Sequence, residues 1–115
     1  MKKTDYNLAV YCGARYGNDP LFTTRAQELG TLCAQNNIGV VYGGGRTGLM
    51  GTVAGATLDA GGVVYGVVTH KLVGLEGVYP GQTTLDIVDT MHQRKIAMIE
   101  KADAFVAMPG GPGTL

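Results

Sequence analysis

The chain has 115 residues, 45% of them hydrophobic, and its nine basic and nine acidic side chains give a formal net charge of zero. This composition predicts a single globular domain over residues 1–115 and excludes a disordered chain. The balanced charge excludes a broad electrostatic attraction to nucleic acid or to an anionic membrane surface. The apolar runs are too short to span a membrane, and we expect a cytoplasmic protein.

The first part of the chain alternates between apolar runs and a helical pattern. Asn7 to Cys12 predicts a buried strand, and Asp19 and Pro20 are suited to the N-cap and first position of a helix. This helix continues to about Asn37 and places a stripe of side chains toward the core: Phe22, Ala26, Leu29, Leu32 and Cys33. Ile38 to Tyr42 predicts the second strand.

The same alternation continues to the end of the chain. Further strands are predicted at Val63 to Val68, Leu85 to Val88 and Ala104 to Met108. Helices are predicted from about Leu49 to Asp59 and from about Met91 to Ala102. Thr90 and Gln93 have the spacing of a capping box at the start of the last helix. The connection from Thr69 to Thr83 is long and contains glycine, as functional loops often do.

Apolar strands that alternate with amphipathic helices predict a Rossmann-like α/β fold, with a parallel sheet covered by helices on both faces. Ligands of such sheets bind outside the carboxyl ends of the strands. Nine of the 19 glycines of the chain lie in the turns after the first, second and last predicted strands. The sequence therefore predicts a binding site built from glycine-rich turns at this edge.

The segment from Gly43 to Gly48 matches GxGxxG between a strand and a helix. Glycines allow close approach of a phosphate, and the following helix N-terminus favours its negative charge. We therefore take Gly44, Gly45 and Thr47 as candidate phosphate-binding residues. A tight turn that needs glycine for its backbone alone is the alternative. About twenty residues on there is no acidic residue to hold a ribose diol, which disfavours a dinucleotide site.

The glycine-rich segment from Pro109 to Thr114 is the stronger signal. Its prolines and glycines predict a shaped loop whose backbone N–H groups form an anion nest, to which a hydroxyl can add. The candidate residues are Gly110, Gly111, Gly113 and Thr114. The alternative is an ordinary turn.

The last helix begins with two adjacent cations, Arg94 and Lys95. Helical spacing places Lys95 within an apolar stripe and Arg94 at its edge; the stripe contains Met91, Met98, Ile99 and Ala102. Cations in a first turn oppose the helix dipole, so their position beside a glycine loop indicates an anion between them. Lys95 directed to solvent is the alternative. Glu76, in the long connection, is either a substrate contact or a surface carboxylate.

Other chemistry lacks support in the sequence. Cys12 and Cys33 lie in apolar runs and are predicted to be buried free thiols, because no CxxC pair exists. The Walker A, GxSxG and HExxH patterns are absent from the sequence. We therefore predict no metal and no cofactor.

Three segments together resemble the LONELY GUY family of cytokinin-activating phosphoribohydrolases, also labelled possible lysine decarboxylases. They are VYGGGRTGLMG from Val41 to Gly51, MHQRK from Met91 to Lys95 and PGGPGT from Pro109 to Thr114. The resemblance implies a homodimer that hydrolyses nucleoside 5′-monophosphates, typically cytokinin ribotides and AMP, to free base and ribose 5-phosphate. It also implies that Arg94 is catalytic, that Glu76 contacts substrate and that residues 110–114 bind phosphate.

The sequence departs from the family pattern at two places. Ala14 stands where the first glycine loop usually carries serine, which puts substrate preference in doubt. The family motif continues as PGGxGTxxE, so its catalytic glutamate falls after Leu115, and the resemblance implies a domain truncated at its C-terminus. A non-catalytic nucleotide or molybdenum-cofactor carrier-like protein is the alternative function. Lysine decarboxylation would require a pyridoxal-binding lysine in a pocket that the sequence does not indicate.

Overall fold

The computed structural model describes residues 4–11, 20–44, 48–71 and 84–107. Within them, five strands alternate with three helices. The strands are β1 (Tyr6–Tyr11), β2 (Ile38–Tyr42), β3 (Val64–Thr69), β4 (Thr84–Val88) and β5 (Ala104–Ala107). The helices are α1 (Pro20–Gln35), α2 (Gly48–Asp59) and α3 (Met91–Lys101). The predicted elements are confirmed to within one or two residues at each described end.

The five strands form one parallel sheet in the order β4-β3-β2-β1-β5. The chain moves outward from β1 to β4 and then crosses back to place β5 on the other side of β1. The two directions meet between β1 and β5, which is the topological switch point at which such sheets bind ligands. The predicted Rossmann-like α/β architecture is confirmed.

The helices cover both faces of the sheet. Helices α1 and α2 lie over one face, where the fully buried side chains include Val40, Tyr42 and Val53. Helix α3 lies over the other face, where Met98 packs with Ala9, Val41 and Val67. The crossovers from β1 to β2 and from β2 to β3 move across the sheet toward β4, whereas the crossover from β4 to β5 moves in the opposite direction. Because such crossovers are right-handed, α3 lies on the face opposite α1 and α2.

Helix α1 buries most of the predicted stripe. Ala26 and Cys33 are buried, and Phe22 and Leu29 pack against the core. Gly30 is buried as well, whereas Leu32, predicted to face the core, is 54% exposed. The reason is the close approach of α2: a Cβ on Gly30 would lie 2.5 Å from the carbonyl oxygen of Val53. Glycine therefore sets the centre of the contact, and the larger Leu32 lies 100° away from Cys33 around the helix.

Cys33 is a free thiol, as predicted, and is 2% exposed. Burial raises the pKa of the Cys33 thiol, because the apolar surroundings disfavour the thiolate. A protonated, enclosed thiol has a structural role. Cys12 lies outside the described residues. In the described ranges, no helix combines the length and the apolar character that a membrane crossing requires.

Candidate functional site

The start of α3 is fixed by the predicted capping box. The Thr90 side chain accepts a hydrogen bond from the Gln93 backbone N–H at 3.1 Å, and the Gln93 side chain accepts one from the Thr90 backbone N–H at 3.1 Å. The Gln93 side chain also accepts from the Asp89 backbone N–H at 2.9 Å. These reciprocal bonds satisfy donors at the first turn and set the position of the next residue, Arg94, against the sheet.

We expect Thr90→Ala to lower the free energy of unfolding by about 1 kcal/mol, because the helix loses its side-chain cap. Urea unfolding of the wild type and the variant measures this difference. Thr90→Ser keeps the hydroxyl and should stay within a few tenths of a kcal/mol of the wild type. Equal destabilisation by serine and alanine would show that the hydroxyl does not act as the cap.

Arg94 connects α3 to the carboxyl edge of the sheet. Its Nε–H donates to the Val67 carbonyl oxygen at 2.9 Å, and its Nη2 donates to the Gly43 carbonyl oxygen at 3.0 Å. The side chain is half-buried, and Nη1 lies 4.0 Å from the Met91 sulfur. A guanidinium has five N–H donors in a planar fork, and these two bonds fix the plane of that fork.

The two carbonyls that hold Arg94 mark the point at which β2 and β3 stop pairing. Their ladder runs from Val40 and Val64 to Tyr42 and Gly66. Gly43 comes next after Tyr42, and Val67 comes next after Gly66. The carbonyl oxygen of each accepts a hydrogen bond from the Arg94 guanidinium. Arg94 therefore supplies hydrogen-bond donors to buried main-chain groups that lie just past the ladder.

The glycine turn after β2 makes room for this guanidinium. An ideal Cβ on Gly43 would overlap the Nη2 atom of Arg94. Gly44 is buried and has a φ of +82°, a conformation that L side chains rarely adopt. A Cβ there would also lie 3.2 Å from the Cβ of Val68. The turn thus needs glycine at the first position for space and at the second for backbone conformation.

The two predicted cations of α3 are arranged differently from the prediction. Arg94, predicted at the edge of the apolar stripe, faces the sheet together with Ala97 and Met98, whereas Lys95 is exposed. The predicted stripe is only partly buried, since Met91 is 48% exposed and Ile99 is 55% exposed. The reason is that the Arg94 hydrogen bonds to Val67 and Gly43 set the rotation of the helix about its axis.

A second polar contact lies at the same edge of the sheet. His70 follows β3 and Asp89 follows β4, and their side chains approach to 3.3 Å between Nε2 and Oδ1. They are 69% and 79% exposed, so solvent screens this pair and it adds little to stability. Across the described parts of the chain, His, Cys, Asp and Glu side chains form no group of three or more suited to a metal ion.

Most of the predicted site residues cannot be compared with the structure. Those outside the described residues are Gly45, Thr47, Glu76, Gly110, Gly111, Gly113 and Thr114. Among the others, Arg94 and Gly44 come together at the carboxyl end of β2, where Arg94 binds the carbonyl of the residue before Gly44. Lys95 remains outside this group of contacts.

The arrangement brings a fixed cation to the edge at which parallel α/β sheets bind ligands. A half-buried guanidinium is screened less than an exposed one, and its fork matches phosphate and carboxylate oxygens. Helix α2 begins just after the glycine turn, with Gly48 buried at its first position, and its N-terminus favours negative charge in the same region. These features suit an anionic ligand.

Sequence reasoning missed the roles of Gly43 and of the Val67 carbonyl. The available signal was the run of three glycines after β2, which predicted either a phosphate-binding loop or a tight turn. A glycine run can also indicate that a side chain of the same protein fills the space beside the first glycine. The partner, 51 residues further along the chain, becomes evident only once the crossover topology is known.

Residues 50–115 match the protein family described as "Possible lysine decarboxylase". The chain is 43% identical over 114 residues to a cytokinin riboside 5′-monophosphate phosphoribohydrolase of Rhodococcoides fascians, covering 98% of this chain and 58% of that protein. It is 43% identical over 110 residues to an Arabidopsis thaliana protein of the same name, covering 94% of this chain and 51% of that protein. The chain thus spans about half the length of the curated relatives it matches.

The fold also agrees with solved structures. The molybdenum cofactor carrier protein of Chlamydomonas reinhardtii superposes with a TM-score of 0.79 at 21% identity, covering 95% of this chain and 65% of that one. At this identity the likeness establishes the Rossmann-like fold alone. On the family match and the shared motifs, the chain belongs to the possible lysine decarboxylase family, the LONELY GUY family that its sequence resembles.

Proposed function

We propose that the protein containing this chain hydrolyses the N-glycosidic bond of nucleoside 5′-monophosphates, releasing free base and ribose 5-phosphate. Cytokinin ribotides and AMP are the proposed substrates. The observation that carries the proposal is Arg94, held by the carbonyls of Gly43 and Val67 at the ligand-binding edge of the sheet. The names of the relatives at 43% identity support the same reaction class.

Each candidate residue has a role in this proposal. Arg94 orients the nucleotide, and Glu76 contacts it from the long connection after β3. The main-chain N–H groups of the glycine turns bind the phosphate, together with two hydroxyl groups and Lys95. The phosphate-binding set is Gly44, Gly45, Thr47, Lys95, Gly110, Gly111, Gly113 and Thr114.

The chemistry requires one water molecule for each nucleotide. The water oxygen bonds to C1′ of the ribose while the C1′–N bond breaks, and the electron pair of that bond leaves with the base. The base gains one proton of the water, and C1′ keeps the hydroxyl. Oxocarbenium character develops at C1′, so a carboxylate is needed to stabilise it or to activate the water. The family pattern places this carboxylate on the glutamate that follows its PGGxGT segment.

The balance of features favours hydrolysis over the other two functions considered. Lysine decarboxylation would require a lysine enclosed with pyridoxal phosphate, and Lys95 is exposed on α3. A carrier role is the alternative; the molybdenum cofactor carrier shares the fold but is more distant in sequence than the phosphoribohydrolases. The proposal includes a homodimer, as the family resemblance implies, and a cytoplasmic location, as the composition of the sequence indicates.

The test uses the protein encoded by the complete gene, incubated with AMP or with isopentenyladenine ribotide. Chromatography of the products should show free base and ribose 5-phosphate in equal amounts. Adenosine is the matched control, because it has the same bond but lacks the phosphate that the glycine turns bind, and its cleavage should be much slower. Nucleotide binding without release of base would contradict the hydrolase proposal and support a carrier.

A further inference from the structure

We infer that Gly43 is a positioning residue for Arg94. The absence of a side chain at Gly43 leaves the space that the guanidinium occupies, and the Gly43 carbonyl fixes its direction. The kinetic consequence of this inference rests on the proposed hydrolase function, whereas the structural consequence does not. The two can therefore be tested separately.

The Arg94 guanidinium occupies the space that a side chain at Gly43 would fill. A Cβ built on Gly43 would overlap Nη2 of Arg94 and would lie 3.0 Å from its Cζ, while the third nearest atom, the Met50 sulfur, lies at 3.5 Å. The Met50 distance is an ordinary van der Waals contact. Of these three atoms, the two that belong to Arg94 would have to move if residue 43 carried a methyl group.

The backbone conformation at Gly43 does not itself require glycine. The positive-φ glycines among the described residues are Gly44, Gly48 and Gly61. Gly43 is outside this group, so alanine can adopt its backbone conformation without the strain of the left-handed region. The need for glycine at position 43 therefore comes from the guanidinium, whereas at position 44 it comes from a φ of +82°.

The Gly43 carbonyl also helps to set the orientation of the Arg94 guanidinium. The Gly43 and Val67 carbonyls bind Nη2 and Nε of the same planar group. Displacing Nη2 from Gly43 would tilt the whole guanidinium, because its nitrogens are coplanar. A misplacement of about 1 Å in a substrate-positioning group can reduce rate by about 100-fold. Gly43 thus acts on the reaction through Arg94.

A double-mutant cycle tests this inference, using the complete gene product with Gly43→Ala, Arg94→Ala and the double variant. We expect Gly43→Ala to lower kcat/KM for AMP by about 100-fold. In the Arg94→Ala background the same change should have less than about a twofold effect, because the group that it displaces is gone. Equal losses in the two backgrounds would show an independent structural role and would overturn the inference, as would unchanged kinetics in Gly43→Ala.

Gly61→Ala is the matched control. Gly61 has a φ of +81° and its Cβ would meet nothing within 4 Å, so this variant has a strained backbone remote from Arg94. It should lower the melting temperature while leaving kcat/KM unchanged. This result separates a loss of stability from a loss of Arg94 orientation.

A second measurement needs no ligand and no turnover. The Nε–H resonance of Arg94 in a ¹⁵N NMR spectrum, identified by its absence in Arg94→Ala, should exchange slowly with water in the wild type. It should exchange much faster in Gly43→Ala. If the wild type released no base from AMP, the proposed function would fail, but this measurement would still decide the inference. Slow exchange retained in Gly43→Ala would overturn it.

Discussion

Replacing Arg94 with alanine is expected to reduce kcat/KM for AMP by about 1,000-fold in the complete gene product. The guanidinium is the fixed cation at the candidate site, and loss of a single preorganised donor costs about 100- to 1,000-fold in other enzymes. Steady-state kinetics of base release measure the loss. Isothermal titration with ribose 5-phosphate shows how much of it arises from weaker phosphate binding.

The same substitution should also destabilise the fold. Arg94 donates to the buried carbonyls of Gly43 and Val67, and a hydrogen bond to a charged group contributes about 1.5–3 kcal/mol. We therefore expect a lower free energy of unfolding as well as lower activity. Arg94→Lys is the control, because its ammonium can reach one carbonyl but cannot form the fork. If Arg94→Lys were as active as the wild type, the role of the planar guanidinium would be wrong.

A large loss of stability without any change at the candidate site is expected from Gly30→Val. A Cβ on Gly30 would lie 2.5 Å from the Val53 carbonyl oxygen and 2.9 Å from the Thr57 hydroxyl oxygen, both on α2. Because Thr57 donates to that same carbonyl at 2.8 Å, neither atom can move without disturbing α2. We expect the free energy of unfolding to fall by about 3 kcal/mol, the upper end of the usual cost of overpacking. Urea unfolding measures it.

Leu32→Val is the matched control for that experiment. Leu32 is 54% exposed on the same helix, so valine there costs about 0.5 kcal/mol in helix propensity and leaves the contact with α2 intact. Valine is a better helix former than glycine, so a loss of stability in Gly30→Val reports the contact with α2. Gly30→Ala should have an intermediate effect, because its methyl group still meets Val53 but improves helix propensity by about 1 kcal/mol. Equal stability of Gly30→Val and Leu32→Val would contradict the close contact between α1 and α2.

The fold was predictable from local signals that the structure confirms. Strand β2 has the predicted bounds, Ile38–Tyr42, because a run of apolar residues ends at three consecutive glycines. The start of α3 was predictable because the Thr90 and Gln93 pair forms a capping box through contacts only three residues apart. Signals of this kind depend on neighbours in the sequence and need no knowledge of the tertiary structure.

The proximity of Arg94 to the glycine turn was predictable, but its geometry was not. Its place in the first turn of the last helix indicated a position beside a glycine loop, and in the structure it lies at the turn of Gly43 and Gly44. Its rotation toward the sheet was not predictable, because a count of apolar positions gives a charged residue no reason to face inward. The main-chain carbonyls that determine this rotation lie 27 and 51 residues away in sequence. The same reasoning explains why Lys95, adjacent in sequence, is exposed.

In the proposed function, a nucleoside 5′-monophosphate binds at the carboxyl edge of the sheet, in contact with Arg94. A crystal structure of the complete gene product soaked with AMP tests it most directly, since both intact and cleaved nucleotide report the position of the site. Phosphate or ribose oxygens should lie within hydrogen-bond distance of the Arg94 guanidinium, beside the turn at Gly43 and Gly44. Nucleotide bound elsewhere, such as in the groove between α1 and α2 lined by Gln27, Thr31 and Asp59, would contradict it.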